Sequence, residues 1–265
     1  MSSGVVAAVL ACFGLIIGSF LNVIICRLPH GTSVMWPASH CTSCNRPLSW
    51  FENVPIVSWL VLRGRCRTCQ TRISAQYPIV ESATAVLFVA GYYAFGLTPL
   101  LAVRVAFACA MVVLFAIDFE HQILPNEITL SGIVVGFVLS IFLPPGWKSS
   151  LIGLLAGGLF PFLVAEIYLR VRGREGMGMG DFKMLAMVGA FLGWPLVWIT
   201  LIVACVLGIV IGGGALMISR RGMETRIPFG TFIAVAALVC AYADESMVRA
   251  YQQVVHAYLT WAGLA

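Results

Sequence analysis

Residues 98–118 form the sequence TPLLAVRVAFACAMVVLFAID, an apolar run that ends at a carboxylic acid. A helix that crosses the hydrocarbon core of a bilayer needs about 20 predominantly apolar residues. The run meets that length, with Arg104 as its only charged residue before Asp118. It therefore predicts a membrane-spanning helix with an ionisable residue at one end.

The rest of the 265-residue chain has the same character, with 60% hydrophobic and 10% charged residues. A soluble domain carries roughly a quarter charged residues. Proline disrupts a continuing helix, so Gly193, Trp194 and Pro195 divide the long run 182–219 into two. The other apolar runs occupy 4–26, 79–96, 128–143, 150–169 and a last stretch from Pro228 to about Tyr242. The sequence predicts an all-α polytopic membrane protein with about eight transmembrane helices.

The basic residues predict how the chain is oriented. Thirteen of the sixteen fall into three clusters: Arg27, Arg46, Arg63, Arg65, Arg67 and Arg72; Arg170, Arg172, Arg174 and Lys183; and Arg220, Arg221 and Arg226. Short loops rich in Lys and Arg stay in the cytoplasm. Eight crossings from an external amino terminus place all three clusters inside and both termini outside. The basic residues are not interleaved with aromatics on a soluble domain, so no nucleic-acid partner is expected.

The two ends of the chain leave one prediction and one open choice. No Lys or Arg precedes Arg27, which argues against a cleaved signal peptide, because such a peptide begins with a basic region. The tail 251–265 is either an amphipathic helix on the outer surface or a continuation of the last span.

Between the first two spans lies a polar segment, 27–78, with two CxxC pairs. The pairs are Cys41 with Cys44, in CTSCNRPLS, and Cys66 with Cys69, in CRTCQTRIS. A single CxxC is typical of redox chemistry, whereas two matched pairs predict four thiolates around one structural zinc ion. Cytoplasmic thiols stay reduced, so disulfides are disfavoured. We predict a first transmembrane helix at 1–26, a cytoplasmic tetracysteine zinc domain at 27–78, and a transmembrane core at 79–265.

Asp118 and Asp181 are the candidate catalytic residues of that core. Each lies at an end of an apolar run, and the predicted topology brings both to the same membrane face. A lone boundary aspartate is more often a residue that reaches towards water. Two carboxylates close together share one proton, however, and can hydrolyse a peptide bond without a metal ion. Gly178 and Gly180, just before Asp181, lack Cβ atoms and would let an extended peptide approach closely.

Glu120 is the rival for the second carboxylate. It lies two residues from Asp118, which on a helix points to a different face. We therefore expect Glu120 to be a supporting or surface residue. Lys183 would either tune the pair or anchor the helix at the membrane surface, and the second is the simpler interpretation.

Several motifs in order resemble those of the type IV prepilin peptidases. They are GSFLNVIICRLP at 18–29, WFENVPIVSWLVLRGRC at 50–66, ISAQYPIVE at 73–81, DFEHQILPNEIT at 118–129, MGMGDFKMLAMVGAFLGW at 177–194 and IPFGTF at 227–232. The GxGD motif alone is shared with presenilin-like proteases, but the tetracysteine loop is specific to the prepilin enzymes. One departure is Asn126, where many members have Asp; this position is not one of the expected pair.

The resemblance implies a bifunctional enzyme of the bacterial inner membrane. Such an enzyme cleaves the short basic leader of a prepilin or pseudopilin after a glycine at the cytoplasmic face. It then methylates the new amino terminus with S-adenosylmethionine. The resemblance also implies that Asp118 and Asp181 are the peptidase pair.

The methyl-transfer site is left without assigned residues. No Gly-rich dinucleotide fingerprint follows a strand in this sequence. The cytoplasmic loop is the expected location, and its candidates, Glu52, Asn53, Arg63 and Glu81, are each more often surface or packing residues. Two other functions stay open at this point: a transporter or channel with a regulatory zinc ribbon, and an assembly scaffold that binds pilins without cutting them.

Overall fold

The structure, a computed structural model, describes residues 2–173, 177–214, 228–243 and Gln253. Within these residues the chain is helical, with two isolated β-bridges. The helices are α1 (Ser3–Arg27), α2 (Val57–Val61), α3 (Gln76–Phe95), α4 (Pro99–His121), α5 (Asn126–Leu139), α6 (Trp147–Leu154), α7 (Phe160–Arg172), α8 (Met179–Leu192), α9 (Trp194–Leu207) and α10 (Phe229–Tyr242). A π-helical segment, Leu155–Leu159, joins α6 to α7, and a second one, Gly208–Gly213, extends α9.

The chain forms two compact units, Met1–Val113 and Leu114–Ala265. In the first unit, α1 packs along α3 through two glycines one helical turn apart. A Cβ atom on Gly14 would lie 2.7 Å from Ala85 Cα, and one on Gly18 would lie 2.7 Å from Glu81 Cα. Small residues at this spacing let two helix backbones approach closely, which is the main way that helices associate in lipid.

The segment between α1 and α3 contains no helix longer than α2 among its described residues. On α2, the Trp59 indole N–H donates to the carbonyl of Ile73 at 3.3 Å. The same ring lies against Gly64, where a Cβ would come within 2.9 Å of it. This packing fixes the return of the chain towards α3.

The second unit is built around α8. Eleven of the fourteen residues of α8 are buried, and the helix packs against α5, α6, α9 and α10. It is short because Gly193, with φ of +85°, ends it, and α9 starts at once with Pro195 in its first turn. The predicted break in 182–219 is therefore confirmed, and it places Asp181 in the first turn of a central helix.

In the part of the chain that the structure describes, five helical stretches are long and apolar enough to cross a membrane: Ser3–His30, Gln76–Phe95, Pro99–His121, Trp147–Arg172 and Trp194–Gly212. The chain is a multi-pass membrane protein. Helices α5 and α10 are apolar but have only 14 residues. At 1.5 Å per residue each extends about 21 Å, short of a hydrocarbon core of about 30 Å. The expected number of eight crossings is thus not confirmed.

The boundary between the compact units, at Val113, falls inside α4. The division into a first transmembrane helix at 1–26, a zinc domain at 27–78 and a core at 79–265 stays a prediction. The third basic cluster and the tail 251–265, apart from Gln253, lie outside the described residues.

Candidate active site

Asp181 lies in the first turn of α8. Its Oδ2 accepts a hydrogen bond from the backbone N–H of Gly178, the residue before that helix, at 3.2 Å. The first backbone N–H groups of a helix have no partner within the helix, and a carboxylate three residues on can satisfy one of them. This hydrogen bond holds the carboxylate at the helix start, where only 9% of Asp181 is exposed.

Asp118 lies in the last turn of α4 and is 5% exposed. Its Oδ2 accepts two hydrogen bonds from Thr231: one from the backbone N–H at 2.7 Å and one from the side-chain hydroxyl at 3.0 Å. Thr231 is the third residue of α10, so its N–H is one of those that a helix start leaves unpaired. Asp118 therefore caps a helix 113 residues away in sequence.

The two aspartates belong to the same compact unit, and Leu124 contacts the glycines beside both of them. A Cβ on Gly230, which would lie 2.9 Å from Asp118 Oδ2, would lie 3.0 Å from Leu124 Cδ1, and a Cβ on Gly180, next to Asp181, would lie 2.9 Å from Leu124 Cβ. Among the described residues, neither aspartate side chain forms an ion pair with a Lys or Arg residue. Two buried carboxylates that repel each other hold a single proton between them more readily than two charges. The arrangement can therefore supply a proton acceptor and a proton donor at one place.

The glycines near Asp181 have different surroundings. Gly178 has φ of −73° and ψ of 147°, an extended conformation that any residue adopts. Gly180 faces the side chain of Leu124, with 2.9 Å between its ideal Cβ position and Leu124 Cβ. Gly180 is therefore small because Leu124 packs on it. The approach of a substrate along Gly178 and Gly180 remains a prediction.

The other acidic and basic candidates do not join the pair. The Glu120 side chain is 57% exposed and lies 4.0 Å from His121. The Lys183 ammonium donates to the side-chain oxygen of Asn126 at 2.8 Å. This bond joins α8 to the start of α5, so Lys183 has a packing role within the second unit.

Sequence reasoning missed Thr231 and Gly230. A Cβ on Gly230 would lie 2.9 Å from Asp118 Oδ2 and 3.0 Å from Leu124 Cδ1. Both residues belong to the IPFGTF motif, which was used only for the family resemblance. A glycine followed by a hydroxyl residue at the start of a span was the available signal, but it does not name its partner.

The four cysteines come together as the spacing predicts. The sulfur atoms of Cys41, Cys44, Cys66 and Cys69 all lie within 4.8 Å of one another. The Cys41 and Cys69 sulfurs are 3.7 Å apart. Tetrahedral zinc with Zn–S bonds of about 2.3 Å requires sulfur separations of about 3.8 Å. The group therefore fits a metal ion with four thiolate ligands.

The two halves of the cysteine group repeat one backbone pattern. The Cys41 N–H donates to the Arg46 carbonyl, and the Cys66 N–H donates to the Thr71 carbonyl, each at 2.9 Å. Asn45 and Gln70, which follow the second cysteine of each pair, have φ of +54° and +58°. Each half is thus a tight turn that points two sulfurs to the same side.

The second half also favours the thiolate form of its cysteines. Hydrogen bonding by Thr71, whose hydroxyl lies 3.3 Å from the Cys69 sulfur, lowers the pKa of Cys69 to about 6. Backbone N–H groups of Cys69 and Thr68 lower the pKa of Cys66. The thiolate is the form that binds metal. The turn therefore both brings the two sulfurs together and favours their deprotonated form.

Two of the candidates for methyl transfer have structural partners. The Glu52 carboxylate accepts from Arg46 at 2.6 Å and from the Ser49 N–H at 2.9 Å. The Arg46 guanidinium lowers the pKa of Glu52. Glu81, buried in α3, accepts the Ile56 N–H at 2.7 Å. Both carboxylates therefore stabilise the conformation of the segment between α1 and α3.

Two protein-family models match parts of the sequence. The model of the bacterial peptidase A24 N-terminal domain matches residues 12–95, and that of the type IV leader peptidase family matches 105–213. No solved structure matches the chain.

Three curated relatives carry the name prepilin leader peptidase/N-methyltransferase. The Pseudomonas putida protein is 34% identical over 260 residues, 88% of this chain and 89% of its own. The Aeromonas hydrophila protein is 36% identical over 268 residues, 90% of this chain and 91% of its own. The Myxococcus xanthus protein is 39% identical over 207 residues, 78% of this chain and 62% of its own. With this identity along most of its length, the chain belongs to the type IV leader peptidase family.

Proposed function

We propose that this chain is a prepilin leader peptidase and N-methyltransferase of the bacterial inner membrane. It cleaves the short basic leader of a type IV prepilin or type II secretion pseudopilin after a glycine, at the cytoplasmic face. It then methylates the new amino terminus with S-adenosylmethionine. The observation that carries the peptidase activity is the buried Asp118–Asp181 pair in one compact unit.

The pair performs hydrolysis with one carboxylate ionised and the other protonated. The ionised group removes a proton from a water molecule, and the water oxygen attacks the scissile carbonyl carbon. The protonated group donates its proton to the carbonyl oxygen. As the C–N bond breaks, the proton held by the first group passes to the leaving nitrogen, and the second group recovers its proton from the gem-diol. The aspartates end as they began, and one water molecule is consumed.

The membrane orientation is part of the proposal. Eight crossings place the carboxyl end of α4 and the amino end of α8 at the cytoplasmic face, next to the Arg170 and Arg172 cluster. A basic leader that enters from the cytoplasm would then meet the aspartates at the end of its apolar segment. Both termini of this chain lie in the periplasm in that arrangement.

The tetracysteine group holds a structural zinc ion in this proposal. Cys41, Cys44, Cys66 and Cys69 supply all four ligands, which leaves no coordination position for a catalytic water. Zinc neutralises the mutual repulsion of four thiolates and fixes the two turns to each other. S-adenosylmethionine supplies the transferred methyl group, and we assign no residue to its binding.

The function is tested with purified protein, a prepilin and S-adenosylmethionine in detergent. The wild type is expected to release the leader and to add the mass of one methylene group to the product only when S-adenosylmethionine is present. Asp118→Asn and Asp181→Asn should each reduce cleavage at least about a thousandfold, since neither the base nor the acid can be replaced.

Glu120→Gln is the matched control, because it removes an exposed carboxylate two residues from Asp118. It should retain cleavage. An uncut leader with wild-type protein would overturn the proposed activity, and cleavage by either aspartate variant would overturn the proposed pair. Flux of an ion with intact processing in those variants would indicate the transporter instead, an interpretation that the comparisons do not favour.

A further inference from the structure

The hydrogen bonds of the two aspartates are unequal. Asp118 accepts two donors on one oxygen, at 2.7 and 3.0 Å, while Asp181 accepts one at 3.2 Å. Short hydrogen bonds from neutral donors to a carboxylate stabilise its charged form. An N–H and a hydroxyl that both point at Asp118 Oδ2 leave that oxygen no place for a proton.

The start of α10 adds to this effect. The amino end of a helix carries a partial positive charge, which favours an anion in front of it. Gly230 lets Asp118 reach this position, because any side chain there would meet Oδ2 at 2.9 Å. Asp181 lies in the first turn of α8 and gains the same kind of stabilisation, whereas Asp118 also lies in the last turn of α4, whose partial negative charge opposes an anion. The difference between the two aspartates therefore rests on their hydrogen bonds, two for Asp118 and one for Asp181.

We propose that Thr231 is a positioning residue that fixes the division of labour in the pair: it holds Asp118 as the ionised base, so that Asp181 carries the proton as the acid. This inference rests on the proposed peptidase function. Asp118 Oδ1, which Thr231 leaves open, is then the atom that removes the proton from water. Asp181 donates to the scissile carbonyl oxygen, and the proton balance is that of the hydrolysis described above.

Among the residues that the structure describes, no titratable side chain holds Asp118 as Thr231 does. The described residues of α10 include no acidic or basic side chain. On α4, Glu120 is exposed beside His121, and on α8, Lys183 is bonded to Asn126. Glu127 lies in the exposed first turn of α5. Among the described residues of the second unit, Asp181 is the other buried carboxylate.

The test is the pH dependence of kcat/KM for leader cleavage. Thr231→Val keeps the shape of the side chain and removes its hydroxyl donor. The acidic limb of the profile should move to higher pH by about one unit, since a hydrogen bond to a charged group is worth roughly tenfold in an equilibrium constant. Thr231→Ser restores the donor and should restore the wild-type profile.

Thr200→Val is the matched control. Thr200 is equally buried in the second unit, but its hydroxyl donates to the carbonyl of Leu196 in its own helix at 2.8 Å. This variant should keep both limbs of the wild-type pH profile of kcat/KM. If Thr231→Val unfolds, Thr231→Ala is measured instead.

Three results would overturn the inference. One is an unchanged acidic limb in a folded Thr231→Val or Thr231→Ala enzyme, which would make the hydroxyl merely structural. Another is movement of the alkaline limb alone, which would reverse the two roles. The third is a Thr231→Ser profile that follows the Val variant. Failure of the wild type to cut any leader is a separate outcome, because it removes the peptidase function itself.

Discussion

Burying a charged aspartate is unfavourable unless hydrogen bonds or opposite charges compensate it, and at Asp118 the hydrogen bonds from described residues come from Thr231. Thr231 supplies both a backbone and a side-chain donor. Gly230 has no side chain, and Asp118 Oδ2 and Leu124 occupy the space that a side chain would need. The geometry of the carboxylate therefore depends on two neighbouring residues that have no reactive group of their own.

Gly230→Ala tests this dependence at the residue scale. The added methyl would lie 2.9 Å from Asp118 Oδ2 and must displace it or Leu124. Overpacking of this kind costs about 1–3 kcal/mol, so we expect cleavage to fall at least about tenfold, measured as kcat with saturating prepilin. Gly208→Ala is the control, because its nearest neighbour is 3.6 Å away. Equal activity of the two variants would contradict the described contact.

At the scale of helices, close approach through glycine is what fixes α1 against α3. Gly14 and Gly18 place the α1 backbone directly on Ala85 and Glu81. Next to this contact, Asn22 donates to the Tyr77 carbonyl at 3.2 Å. Lipid tails are as apolar as the side chains, so the hydrophobic effect does not drive helices together in a membrane. Close packing and hydrogen bonds of this kind drive their association instead.

Gly18→Ala is expected to weaken the α1–α3 pair. Its methyl would lie 2.7 Å from Glu81 Cα, a backbone atom that cannot avoid the clash by a change of rotamer. The thermal midpoint in detergent should fall by several degrees, as a loss of about 1–3 kcal/mol implies. Gly4→Ala lies on the same helix with nothing within 4 Å and should leave the midpoint unchanged or slightly raised. A midpoint for Gly18→Ala equal to that of Gly4→Ala would refute the contact.

Hydropathy predicted where helices lie better than it predicted what surrounds them. The run 4–26 is α1, and the run 98–117 is α4. The sequence predicts a crossing in the run after Asp181, whereas the helix there, α8, has 14 residues and is buried within its unit. Lipid and protein interior both require apolar side chains, so the sequence cannot distinguish them. That ambiguity, together with the short α5 and α10, accounts for the unconfirmed number of crossings.

The same limit applied to the candidate site. Asp118, Asp181 and the four cysteines could be named from spacing and from their place at the ends of apolar runs. Thr231 could not, because a hydrogen bond over 113 residues leaves no local pattern. Local motifs therefore identify the candidate reactive groups, whereas the contact of Thr231 with Asp118 is visible only in the packed structure.

At the scale of the whole molecule, two parts of the chain are stabilised in different ways. The helices are held by packing, whereas the described part of the segment between α1 and α3 has little buried apolar surface and is organised by paired turns. A segment of this size gains from a ligand that binds only its folded form. The four converging sulfurs are the feature that supplies such a ligand site.

Cys41→Ser is expected to lower bound zinc from about one ion per chain to near zero, since three thiolates with one hydroxyl bind the metal far more weakly. Elemental analysis of protein purified without chelator gives the measurement. Cys12→Ser, an exposed cysteine on α1, is the control and should keep the metal. Zinc in the Cys41 variant at the level of the Cys12 variant would exclude the proposed ligand set.

The hydrogen bonds from α10 to Asp118 also bear on when during synthesis the enzyme acquires its activity. A nascent chain that has emerged only as far as α9 already contains both aspartates, but not the donors of Thr231. Its carboxylates lack the support that separates base from acid. The proposed enzyme would therefore stay inactive during synthesis until α10 has been made and has packed against Asp118.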